Sequence, residues 1–155
     1  MPPHVTDLGP GAGLAGGFRA GGVACGIKPS GKPDLGLLVC DCERPVSAAR
    51  FTASATPAAP VLVSQRRCHL NGLRVVLANS GCANAATGRR GEEAASKTQG
   101  AAAMAVGVGE SQVALASTGG ISQELPVEQV LKGIHALASR LRTDGDSDFQ
   151  RAIET

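Results

Sequence analysis

Aromatic side chains are nearly missing, with three Phe and no Trp or Tyr in 155 residues. A core must then be made from Ala, Val, Leu and Ile, whose small volumes bring backbones close together. A net charge of only +2, without stacking aromatics, excludes an ordinary nucleic-acid binder. Arg66-Arg67 and Arg89-Arg90 are isolated pairs that read as solvated surface. No run approaches the roughly 20 apolar residues of a membrane span. Met1 to Pro10 lacks the positive and then apolar regions of a secretory signal, so the expected location is cytoplasmic. Five Cys, an odd number outside any secretory context, argue against a disulfide framework. Cys40-Asp41-Cys42 with Cys68-His69 does not have the spacing of a structural zinc site, and the thiols read as small buried or edge groups. Neither a metal nor a resident cofactor is expected.

What remains is globular: 43% hydrophobic and 18% charged residues, at a length typical of one domain. Residues 1–16 are rich in Gly and Pro without a hydrophobic period and read as a loose leader. Val23 to Ile27 and Leu35 to Cys40 read as two strands, joined into a hairpin by the turn chemistry of Pro29 to Asp34. Ala48 to Thr52 is expected to be a third strand. Pro60 can open a helix through about Cys68, because its missing N–H would be unpaired at a helix start anyway. Leu73 to Ala78 is the clearest strand and runs into the polar turn Asn79-Ser80-Gly81.

Glu92 to about Val106 is Ala-rich and acidic at its start, which suits a helix N-terminus. Val113 to Ala116 forms a short strand ending in Ser117-Thr118-Gly119-Gly120. After Pro126, the residues Val127, Val130, Leu131, Ile134, Leu137 and Leu141 recur at helical spacing. Thr143 to Asp148 breaks that helix, and Phe149 to Ile153 reads as the opening of a segment without room to finish.

Several motifs fail on context. Gly11-Ala12-Gly13-Leu14-Ala15-Gly16 matches the dinucleotide fingerprint in letters, yet has no strand before it or helix after it to aim amides at a pyrophosphate. Gly26 to Lys32 approximates a phosphate-binding loop, but Pro33 stands where the hydroxyl belongs and Pro29 removes an amide. His4, His69 and His135 are scattered and there is no Gly-x-Ser-x-Gly elbow, so an ordinary Ser/His/Asp hydrolase has no local support. His135 reads as a surface or packing residue.

A longer series of segments holds together. Gly17 to Val23, Gly26-Ile27-Lys28, Asp34 to Leu37, Phe51-Thr52, Ala58 to Val61, Asn79 to Gly88, Ser117-Thr118-Gly119, Leu125-Pro126 and Ala152-Ile153-Glu154-Thr155 follow one another in order. Together they resemble the ornithine acetyltransferase, or bifunctional glutamate N-acetyltransferase, family of arginine biosynthesis. Asn79-Ser80-Gly81-Cys82-Ala83-Asn84-Ala85-Ala86-Thr87-Gly88 is the most specific of these segments. The resemblance spans residues 17–155, the first-chain part of that family.

The resemblance implies an α+β fold of stacked β-sheets with flanking helices, completed by a second chain of the same precursor in a heterotetramer of two of each chain. It implies self-cleavage before a Thr that becomes the nucleophile, within a Met-Ala-Thr-Met-Leu-like segment not found in these residues. The implied substrates are N-acetylornithine and glutamate, with acetyl-CoA as a co-substrate in bifunctional members. Thr118 and Gly119 are implied as the oxyanion hole, and Thr155 as a contact to the amino-acid substrate. Gly120, Ser122 and Glu154 depart from the residues usual at those places. Two other readings are open: an inactive, truncated remnant or binding protein of the same fold, and a self-processing aminopeptidase, which the Asn79 to Gly88 segment disfavours. Without the nucleophile, the chain alone is expected to be inactive.

Overall fold

The computed structural model describes residues 13–155. Most of the expected leader, and the first two residues of the glycine fingerprint, lie outside the described residues. Four strands, β1 (Phe18–Val23), β2 (Leu35–Cys40), β3 (Val75–Asn79) and β4 (Val113–Ser117), form one sheet in the order β1-β2-β3-β4. The first two interfaces are antiparallel and the third, β3 with β4, is parallel. A parallel pair needs a crossover, and α2 (Gly88–Val106) provides it. The other helices are α1 (Ala59–Arg67), α3 (Val127–Ala138) and α4 (Asp146–Ile153), and a 3-10 turn at Glu110–Gln112 leads into β4.

Alternation along the strands sends Leu35, Leu37, Val39, Val75, Leu77 and Val113 to one face, where they pack with Ala102 and Ala103 of α2 and Val130, Ile134 and Leu137 of α3. Each buried Leu, Ile or Val contributes about 1.5–3 kcal/mol. Helix α1 joins the same side by packing Ala59 and Val63 against Ala95 of α2. The opposite face is partly covered by α4, and glycine makes its approach possible. A Cβ on Gly22 would lie 2.1 Å from the Asp148 carbonyl oxygen, and one on Gly36 would lie 2.8 Å from the Phe149 ring. The α+β architecture with flanking helices is therefore as expected. Among the described residues, no helix is long and apolar enough to cross a membrane, and no group of side chains could hold a metal ion.

Four expectations need correction. The hairpin exists, but its first strand is Phe18–Val23, earlier than Val23 to Ile27; the amides of residues 25–28 turn away to bond Asp34. Ala48 to Thr52 joins no ladder, and β3, which Ala48 lies beside, already has β2 and β4 on its two edges. The stretch leading into it, residues 42–47, is held by side chains: Ser47 Oγ accepts the Leu73 N–H, and the Arg74 guanidinium donates to the Cys42 and Glu43 carbonyls.

Helix α2 begins at Gly88, so Glu92 lies beyond its first turn, where it pairs with Arg66 at 2.7 Å. Finally, Phe149 to Ile153 belongs to a finished helix. Helix α4 closes with the Glu154 N–H on the Gln150 carbonyl. The arginine pairs and His135 lie on the surface as read from the sequence.

Candidate functional site

The parallel register pairs Asn79 with Ser117, so β3 and β4 end at the same edge of the sheet. Pairing resumes just beyond, at Cys82 and Gly120. Between these points each chain makes a tight turn, Ser80-Gly81 on one side and Thr118-Gly119 on the other. The turns touch backbone to backbone: Gly119 has φ +129°, and a Cβ there would fall 2.4 Å from the Gly81 carbonyl carbon and 2.6 Å from the Cys82 nitrogen. Only glycine combines that backbone with that contact.

Hydrogen bonds lock the junction. The Thr118 N–H donates to the Asn79 carbonyl at 3.0 Å, the Gly120 N–H to Gly81 at 3.3 Å, and the Ala83 N–H to Gly120 at 2.9 Å. Buried Asn79 accepts from Ser117 Oγ at 2.6 Å and donates to the Cys82 carbonyl at 2.8 Å. The Gly119 N–H, in the middle of this series, has no acceptor among the described residues. The Thr118 hydroxyl faces the Thr155 hydroxyl at 3.2 Å, in an exposed position. Thus Thr118, Gly119 and Thr155, singled out in the sequence for different parts of the chain, converge on one spot.

Three further residues build this corner. Asp34 is fully buried, and its carboxylate accepts four successive amides: Cys25 at 2.7 Å, Gly26 at 3.1 Å, Ile27 at 2.7 Å and Lys28 at 2.9 Å. Burial works to raise its pKa, but the bonds from Cys25, Lys28 and Ile27 outweigh that, and the carboxyl stays below the ordinary range. The same burial, with Asp34 alongside, pushes the Cys25 thiol up to about 12, so it remains a neutral thiol and does not compete as a nucleophile.

Lys28, on the ordered loop, lies over Gly81 and donates to the Pro33 and Glu154 carbonyls. Ser80 is fully buried and donates to the Ala152 carbonyl at 2.6 Å. Lys28, Ser30, Lys32, Pro33, Arg151, Glu154 and Thr155 line an open groove of about 460 Å³ beside the hydroxyl pair. A smaller cavity of about 240 Å³ over the start of α2 is rimmed by the Arg90–Glu124 pair and does not include Thr118.

This geometry can present a hydroxyl and an unengaged amide to a ligand oxygen, on a turn that cannot relax. The model of the ArgJ family matches residues 19–155. The chain belongs to the ArgJ family. Relatives named arginine biosynthesis bifunctional protein ArgJ are 43% identical over 141 residues in Gloeobacter violaceus, covering 90% of this chain and 34% of the relative. In Streptomyces coelicolor the identity is 40% over 139 residues, with 90% and 36% covered. This ArgJ-family chain therefore spans about a third of the length of these curated relatives.

Among solved structures, it is similar to an ornithine acetyltransferase complexed with ornithine from Mycobacterium tuberculosis, with a TM-score of 0.87 and 37% identity. That match covers 90% of this chain and 76% of the other. A second is an arginine biosynthesis bifunctional protein from Bacillus halodurans, with a TM-score of 0.80 and 36% identity over 91% and 73% of the two chains. The ArgJ-family chain thus has the ornithine acetyltransferase fold.

Lys28, Asp34 and Ser80 lie within the segments that carried the resemblance, yet no role attached to them from the sequence. A signal existed for Asp34, an acidic residue ending a proline-rich turn ahead of an apolar strand. Side chains of that kind often fold back onto local amides.

Proposed function

We propose that this chain supplies the oxyanion-binding part of an acetyltransferase that moves acetyl from N-acetylornithine, or from acetyl-CoA, to glutamate in arginine biosynthesis. In this reading a Thr nucleophile from the second chain attacks the acetyl carbonyl carbon, and the Thr118 hydroxyl and Gly119 N–H donate to the oxygen as it becomes anionic. Collapse breaks the bond to the leaving group, which departs with a proton as ornithine or, from acetyl-CoA, as the free thiol, and the acetyl ester is then passed to the glutamate amine. Thr155 contacts the amino-acid substrate. The working assembly contains two of each chain.

The observation that carries this reading is the Thr118-Gly119 turn, where a donor pair is set on a backbone pinned against Gly81. Donors fixed before reaction cost nothing to reorient as charge develops, which is the main source of their effect. Family membership and the similarity to an ornithine acetyltransferase support the same chemistry.

The test is transfer of acetyl from N-acetylornithine to glutamate by the full-length enzyme that carries these residues, and by the 155-residue chain alone. Turnover is expected from the first and none from the second. Robust transfer by the chain alone would mean that a Thr or Ser within it is the nucleophile.

A further inference from the structure

Three side chains hold the end of α4 and the two residues that follow it. Ser80 Oγ donates to the Ala152 carbonyl at 2.6 Å, the Lys28 ammonium donates to the Glu154 carbonyl, and Thr118 Oγ1 lies 3.2 Å from Thr155 Oγ1. Lys28 is itself held, because its own N–H is one of the four on the buried Asp34 carboxylate. The ammonium therefore issues from a fixed point of the loop.

The hydroxyl pair has two arrangements. If Thr118 donates to Thr155, its only proton is used. If Thr155 donates to Thr118, the Thr118 proton is left to point at a ligand oxygen, and accepting one bond strengthens the one it gives. The second arrangement requires the Thr155 hydroxyl to be held in place, and Thr155 is exposed. The bond from Lys28 to the preceding carbonyl supplies that restraint.

We propose that Lys28 is a positioning residue. Its ammonium fixes Glu154 and, with it, the Thr155 hydroxyl, so that Thr155 donates to Thr118 and turns the Thr118 proton toward the reacting oxygen. The inference rests on the oxyanion reading above and names what orients the donor.

The experiment is steady-state kinetics of the full-length enzyme with Lys28→Met and Lys28→Arg, each in the wild-type and Thr118→Val backgrounds. Lys28→Met is expected to lower kcat about tenfold, beside the rise in KM that follows from loosening the Thr155 substrate contact, and Lys28→Arg to recover most of the loss in kcat. With Thr118→Val, where no proton remains to be turned, adding Lys28→Met should lower kcat by less than about twofold. A purely structural lysine would cost the same on both backgrounds. An equal loss on the two backgrounds, a loss confined to KM, or a loss below about twofold in the wild type overturns the proposal. Full turnover by Thr118→Val alone would instead remove the oxyanion reading itself. Should Lys28→Met fail to fold, Lys28→Ala, which also removes the donor to the Glu154 carbonyl, takes its place in the same comparison.

Discussion

The two strand ends at the site are alike in composition and opposite in use. Asn79-Ser80-Gly81 after β3 and Ser117-Thr118-Gly119 after β4 each place a hydroxyl residue before a glycine of positive φ. The Ser80 hydroxyl is fully buried and spent on Ala152, and its N–H donates to the Asp34 carbonyl at 2.9 Å. The Thr118 hydroxyl is exposed, meeting only another hydroxyl, and the Gly119 amide next to it is unengaged among the described residues. In the proposed reading the saturated turn serves as the rigid support and the open one as the working surface. Polar chemistry at a strand end is thus no sign of function until its hydrogen bonds have been accounted for.

The contrast can be broken from either side. The largest effect is expected where the turns touch. Gly119→Ala forces both a strained φ and a backbone clash, for a loss of about 4 kcal/mol. In the 155-residue chain this should appear as a fall in Tm of roughly 10 °C, at about 2–4 °C per kcal/mol. Next is Asp34→Asn, which puts an amide where four N–H groups expect a carboxylate and should cost about 3 kcal/mol in denaturant melts.

Asp34 also gives a pH signature. Its native pKa lies below the ordinary 3.8, so its contribution is fully present above that value and is lost as pH falls through the native pKa. Asp34→Asn should therefore remove part of the acid-side decline in stability. Ser80→Ala strands the buried Ala152 carbonyl without its donor and should cost about 1.5 kcal/mol. The smallest stability effect is at the open turn, where Thr118→Val is expected to stay within about 0.5 kcal/mol, as surface substitutions do.

Much of the scaffold was legible. Pro60 and Pro126 marked helix starts, and α3 showed its apolar stripe at the spacing that packs it on the sheet. What misled were local signals with distant partners. Glu92 looked like an N-terminal charge but answers Arg66 on α1, and Val23 to Ile27 looked like a strand, but Cys25, Gly26 and Ile27 give their amides to Asp34. Ala48 to Thr52 had strand composition but lies beside β3, whose two edges are taken.

At the site, Ser117-Thr118-Gly119 could be read as a strand-to-turn junction from its residues alone. The meeting of Thr118 with Thr155 spans 37 positions and that of Lys28 with Glu154 spans 126. No periodicity reports contacts at such separations, and only the family resemblance pointed to Thr155.

The central claim is that the open turn stabilises developing charge. It is tested most directly by measuring kcat for acetyl transfer in the full-length enzyme with Thr118→Val, beside its melting temperature. Loss of the donor hydroxyl is expected to lower kcat by about ten- to a thousandfold, with Tm changed by no more than about 2 °C. Turnover equal to wild type in a folded Thr118→Val enzyme would contradict the account.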